Sequence, residues 1–306
     1  MNGPVTADAN RRVEDSAALA ALVVGALVIG ATPILVRLAA CGPAAAGFWR
    51  LFLAAPLLVG LANASGRKGL GSPSRAMLLA GVFFALDLGC WHYGIRYTSV
   101  ANATVLPNLT PVVVTLAGWI AFRERPRRVF VVGMAAAIGG AVLMAEAGRA
   151  ARPGPWAHLG DALSASTAVW YGLYFLAVRS ARKGHSALRV MAWSSLVGAP
   201  LLLIAALALR EPIVPATEPG WAAVAGLALA HVLGQGSIAW ALGRLAASRA
   251  SLVVLVQPVA AAALAYFVFG EILTPLQSVG AAIALAGVVI AQRGGAGPPT
   301  PARSRA

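Results

Sequence analysis

Two charged side chains stand inside apolar runs: Asp87 in AGVFFALDLGCW and Arg50 in AAAGFWRLFLAA. An ionised group in hydrocarbon is costly and marks a functional site by default. Asp87 lies ten residues from the end of its run, roughly 15 Å at the helical rise of about 1.5 Å per residue. A carboxylate at that depth can bind a cation or carry a proton, and Trp91 shares its face at i+4. The alternative is a packed carboxyl paired with Arg50 or with a backbone donor. Arg50 can offer a planar fork to a solute carboxylate. It can equally run its stem along the helix and place its charge at the interface.

Neutral polar residues fall into stripes. Ser164, Thr167, Tyr171 and Tyr174 are spaced 3, 4 and 3 apart, so one helix face carries all four. Such a stripe suits the wall of a cavity for an amphipathic solute. It also suits tight helix–helix packing, where Ser and Thr bond across interfaces. Thr104, Asn108, Pro111 and Thr115 form a second stripe, and Gln257 stands beside Pro258. His231 and Gln235 share a face at i+4; a histidine there can titrate or serve as a neutral hydrogen-bonding group. His92 is expected at the interface. Cys41 and Cys90 have no ligand spacing and read as packing residues, with no disulfide and no metal site.

The elements that must position these groups are membrane helices. Of 306 residues, 59% are hydrophobic and 11% charged, against roughly 25% charged in soluble domains; mean hydropathy is +0.78. Ten apolar segments run at about 17–38, 43–62, 76–97, 100–122, 128–146, 157–179, 187–209, 220–243, 249–270 and 275–292. They lack period-2 alternation, which predicts helices, not barrel strands. With both termini cytoplasmic, 18 of the 24 Lys and Arg residues fall on the inner side, five on the outer side and Arg50 within a span. Positive charge resists translocation, so this orientation is the expected one. The net charge of +14 is accounted for by these loops, so nucleic acid is not an expected partner. The first run is too long for a signal-peptide core. Residues 1–16 are expected to be a cytoplasmic tail and 293–306 a disordered one.

A shift of 147 residues superimposes VLPNLTPVVVTLAGWIAFRER on LVVLVQPVAAAALAYFVFGEI. Pro111 falls on Pro258, Glu124 on Glu271, Gly133 on Gly280, Gly140 on Gly287, and Gly234 pairs with Asp87. Nearer the start of each half, slightly smaller offsets pair Arg37 with Arg179, Trp49 with Trp193 and Pro56 with Pro200. Pro107 and Asn108 have no counterpart; Val254 and Leu255 stand there. Each half holds five segments, and an odd number makes the second half enter the membrane from the opposite side. An inverted repeat of this kind builds alternating-access carriers. The expected organisation is 17–146 and 157–292 as the two repeats, joined by a linker at 147–156.

These residues resemble the EamA-type transporters of the drug/metabolite transporter superfamily: two five-helix units, each with a Pro-containing fourth helix ending in Glu, followed by spaced glycines. Arg50-Leu51-Phe52 resembles the family's Arg-containing second span, although Ser194 stands at the matching place in the second half. The resemblance implies a polytopic all-α carrier of the inner (plasma) membrane, an exporter of a small organic solute such as an amino acid or another metabolite. It implies no catalysis and no cofactor; proton coupling through Asp87 is an added possibility that the residue's depth raises. Oligomeric state is left open. A membrane-embedded enzyme acting on a lipid-linked substrate is the competing reading, and a membrane scaffold a third. The loops carry no paired-carboxylate or metal-spaced motif for the enzyme, and the repeat favours a carrier. Glu124 and Glu271 are expected to be structural, Glu271 capping or locking a helical return, and Thr274, Pro275 and Gln277 form a capping box.

Overall fold

The computed structural model describes residues 4–65, 69–110, 112–113, 127–151, 154–241 and 256–294. All regular structure among them is helical. Helix α1 (Pro4–Gly30) is followed, after a break at Ala31, by α2 (Thr32–Leu38). Pro33 sits in the first turn of α2, where a missing N–H is harmless. The chain is therefore already helical at Pro4, where a tail was expected, although the apolar part begins at Ser16. Then come α3 (Pro43–Ala64), α4 (Arg75–Tyr97) and α5 (Val100–Val105). Helix α5 tightens into a 3₁₀ turn at Leu106–Leu109, around Pro107. Next are α6 (Arg128–Ala151), α7 (Ala157–Arg182), α8 (Ala187–Ala208) and α9 (Glu218–Ala230). A π turn at His231–Gln235 joins α9 to α10 (Gly236–Ala241). Helices α11 (Val256–Phe269) and α12 (Pro275–Gly294) complete the described chain. Pro111 and Glu124 lie outside the described residues.

Local chemistry explains the boundaries. The hydroxyls of Ser74, Ser99, Ser186 and Thr217 each accept a backbone N–H of the turn they open. The capping box before α12 is formed: Gln277 Oε1 accepts from Thr274 N at 3.0 Å, and Thr274 Oγ1 accepts from Gln277 N at 3.1 Å. Gly270, at φ +64°, makes the return before it, a conformation that suits glycine. Among the described residues, six helical stretches are long and apolar enough to cross a membrane: Ser16–Leu38, Pro43–Ala64, Arg75–Tyr97, Arg128–Gly148, Ala187–Ala208 and Glu218–Ala241. Helix α7 is long enough, with 26 residues, but its Ser, Thr and Tyr stripe lowers its hydropathy. Helices α11 and α12 are apolar and shorter as described.

Packing pairs the helices in a regular way. Helix α6 lies against α12, α3 against α8, α4 against α7 and α8, α1 against α10 and α11, and α2 against α9. A Cβ on Gly133 would strike the backbone of Ala291 and Gly287, and one on Gly140 the backbone of Ala284 and Gly280. Conversely, Cβ atoms on Gly280 and Gly287 would strike Met144 and Ala137. Rising numbers on α6 meet falling numbers on α12, so the two run antiparallel in backbone contact. Helices α3 and α8 are antiparallel too: Gly47 faces Leu202 and Gly198 faces Leu51. In lipid there is no hydrophobic drive between helices, so close van der Waals packing over small residues holds such pairs.

Candidate functional site

Helices α3, α4, α7, α8 and the π turn enclose one buried polar layer. Arg50 on α3 is 2% exposed and Asp87 on α4 is 7% exposed; Arg50 does not run to the interface. Its guanidinium carbon stands 5.9 Å from the centre of the Phe84 ring, one turn before Asp87. It lies within Coulombic reach of Asp87, Tyr171 and Tyr174. Nε and Nη1 of Arg50 are buried and have no partner among the described residues. The two opposite charges thus share a low-dielectric layer without closing on one another. An unpaired buried charge of this kind is destabilising.

Aromatic rings form the walls. Phe84 stacks with Tyr174 at 4.6 Å and with His231 at 5.3 Å between ring centres. Tyr171 stacks with Tyr174 at 5.8 Å and meets Phe175 edge-on at 4.6 Å. Gln235 Nε2 donates to Tyr171 Oη over a long 3.5 Å. His231 and Gln235 are the two ends of the π turn, a feature that often marks functional positions in helices. The turn lies where α1 crosses closely, since a Cβ on Gly25 would come within 2.7 Å of the Gly234 carbonyl. Ser195 on α8 hydrogen-bonds His231 Nε2 at 3.1 Å.

The other sequence candidates are distributed around this layer. Trp91 Nε1 donates to Ala103 O at 2.8 Å, tying α4 to α5. Ser164 and Thr167 are fully buried and donate within α7 to Gly160 O and Ser164 O. Ser164 lies directly under Gly94 of α4, so the stripe divides: its Ser and Thr pack, and its tyrosines face the charged layer. Thr104 donates to Val100 O and Ala101 O, and Asn108 Nδ2 to Thr104 O, all within their own segment. Gln257 Nε2 is buried without a partner among the described residues, and its backbone backs against Gly30. His92 is fully buried, with Nδ1 at 3.0 Å from Pro43 O. This corrects its expected interfacial place: the start of α3 covers the end of α4.

One end of the bundle is tied by carboxylates of the second half gripping the first. Glu271 pairs with Arg37 and accepts the Val100 N–H, while Arg37 also donates to Ile95 O and Thr98 O. Glu271 therefore locks across the bundle and caps α5. Glu211 accepts from Ala44 N, Ala45 N and the Tyr93 hydroxyl. Asp161 accepts from Thr98 Oγ1 at 2.7 Å and Asn102 Nδ2 at 3.0 Å. Sequence reasoning passed over Glu211, Asp161, Asn102, Ser195 and Phe84. Each acts on a residue far away in the chain, and the only sequence cue was the rarity of acidic residues.

An all-helical bundle with apolar membrane-length helices, glycine-packed helix pairs and a buried, incompletely paired polar layer defines a polytopic membrane transporter. The EamA-like transporter family matches the chain twice, over residues 16–145 and 158–292, and the chain belongs to it. An uncharacterized transporter from Archaeoglobus fulgidus is 27% identical over 281 residues, spanning 90% of this chain and 96% of its own. A protein described as a probable terminal-alkyne amino-acid exporter, from Streptantibioticus cattleyicolor, is 28% identical over 251 residues, spanning 77% of this chain and 80% of its own. A solved crystal structure shares the fold at a TM-score of 0.66 and 20% identity, covering 90% of this chain and 96% of its own. Membership in a transporter family removes the enzyme reading.

Proposed function

We propose that this chain is a ten-helix secondary transporter, two inverted five-helix repeats at 17–146 and 157–292, that moves a small amphipathic solute bearing a carboxylate and an ammonium group. An amino acid is the simplest such solute. The observation that carries this reading is the unsatisfied Arg50 guanidinium, in one buried layer with Asp87 and bonded to no described carboxylate. Arg50 holds the solute carboxylate, Asp87 faces its ammonium, and the rings of Phe84, Tyr171 and Tyr174 receive its apolar part. Two features support the inverted repeat: the double family match, and the antiparallel course of the helix pairs that the sequence repeat equates. Alternating access follows if the halves rock about this layer.

The chain sits in the inner membrane with both termini cytoplasmic, as the distribution of positive charge favours. In that orientation the end tied by Glu271, Glu211 and Asp161 faces outward. Export is the proposed direction, in keeping with the name of the exporter relative. The test is flux in proteoliposomes with labelled alanine, leucine and phenylalanine. Saturable flux that falls steeply in Arg50→Ala is expected; flux in the variant equal to that of the unaltered protein for every solute would sink the reading.

A further inference from the structure

The Ser195–His231 pair carries information that neither residue carries alone. Both side chains are fully buried. A helical serine ordinarily donates its hydroxyl proton to a carbonyl three or four residues back. Ser194, the neighbour, does this to Val190 O at 2.9 Å and Met191 O at 3.1 Å. Ser195 instead makes its side-chain bond to His231 Nε2, at 3.1 Å. A hydroxyl has a single proton, and a buried donor left without an acceptor is penalised by about 1–3 kcal/mol. If His231 Nε2 carried the proton and donated to Ser195, the serine proton would be stranded. A doubly protonated ring would strand it as well. Either form with a proton on Nε2 leaves two buried groups unpaired, the serine proton and Nδ1, whereas Ser195 donating to a bare Nε2 leaves only one, the ring proton on Nδ1. That Nδ1 is buried and has no partner among the described residues.

We infer that Ser195 is a positioning residue: it fixes His231 as an Nδ1–H donor, which joins Arg50 in holding the solute's carboxylate. The inference rests on the proposed transport function for its ligand, but not for the proton assignment. Arg50 and His231 both lie against Phe84, the guanidinium 5.9 Å and the imidazole 5.3 Å from the centre of its ring. The unpartnered N–H groups of this corner are then Nε and Nη1 of Arg50 and Nδ1 of His231. A surplus of buried donors calls for an acceptor-rich group, and a carboxylate offers about four lone-pair sites on two oxygens. The stacking on Phe84, at 28° between planes, and the Ser195 bond together fix the ring's orientation.

The test uses the full chain in nanodiscs with ¹⁵N-labelled histidine, the His231 signals being assigned by their loss in His231→Gln. Magnetic resonance is expected to find His231 protonated at Nδ1 and bare at Nε2. Ser195→Ala should move the proton wholly or partly to Nε2, and Ser195→Thr, which keeps the hydroxyl, should restore it. A merely structural serine would change stability without moving the proton. An Nε2–H ring in the unaltered protein, or an unchanged tautomer in Ser195→Ala, overturns the positioning role. Added alanine should shift the Nδ1–H signal while alaninamide does not; a signal indifferent to both overturns the carboxylate role. An Nδ1–H ring in a protein that shows no solute flux upholds the role of Ser195 and removes the transport reading instead.

Discussion

The two halves share a scaffold and differ at the site. The repeat equates Gly133 with Gly280 and Gly140 with Gly287, and these glycines meet across the α6–α12 contact. Proline stands inside both α3 and α8, at Pro56 and Pro200. In the buried layer the correspondence fails. The first half supplies the charges, Arg50 and Asp87, where the second has Ser194 and Gly234. The second half supplies neutral polar groups, His231 and Ser195, where the same register gives Phe84 and Leu51. His231 and its repeat partner Phe84 stack on each other at 5.3 Å, so the divergence is concentrated where the halves meet. A symmetric site would bury two guanidiniums and two carboxylates in one layer. One charge of each sign, beside neutral donors, suits the asymmetric solute proposed above.

Substitutions in the charged half should have the largest effect. Arg50→Ala removes the charge-assisted hydrogen bonds to a carboxylate, worth about 1.5–3 kcal/mol each, and should reduce proteoliposome flux roughly 10–100-fold at ~1.4 kcal/mol per decade. Arg50→Lys keeps the charge and loses the fork, and should recover only part of it. If Ser194→Ala lowered flux as far as Arg50→Ala, the asymmetry between halves would be broken. Next come the shared glycines. Gly140→Ala and Gly287→Ala each drive a methyl group into the facing backbone and should destabilise by about 1–3 kcal/mol, the usual range for overpacking. Gly139→Ala, with open space beside it, should leave thermal unfolding in detergent unchanged. Equal losses at 140 and 287 confirm a shared scaffold; a loss at only one would show that the halves differ there too.

This division also explains what was legible in the sequence. Scaffold features repeat, so a shift of 147 residues exposed Pro258, Glu271 and the glycines without any coordinates. Depth in an apolar run likewise marked Asp87 and Arg50. Three-dimensional partners were not legible. Nothing near His231 in the chain points to Ser195, which is 36 residues away, and a π turn has no composition of its own. His92 looked interfacial by depth along its helix, yet the start of α3 covers it. Ser164 and Tyr171 share a stripe by spacing, but Ser164 meets Gly94 of α4 and Tyr171 meets Gln235 of the π turn, a distinction that belongs to the neighbouring helices.

Smaller effects should follow at the neutral residues and at Asp87. If Asp87 couples flux to protons, Asp87→Asn should flatten the pH dependence of proteoliposome flux while leaving some transport; an unaltered pH profile would confine Asp87 to solute binding. Smallest should be the loss of the Gln235–Tyr171 contact. At 3.5 Å it lies beyond the usual 2.7–3.2 Å for N–H···O bonds, so Tyr171→Phe, which keeps the ring against Tyr174 and Phe175, should change unfolding by less than about 0.5 kcal/mol, below the common range for a formed hydrogen bond. Its apparent affinity for a zwitterionic solute should hold within a few-fold, because the ring contacts with Tyr174 and Phe175 are kept. A large loss in Tyr171→Phe would move solute recognition toward the neutral half and shrink the contrast with Arg50.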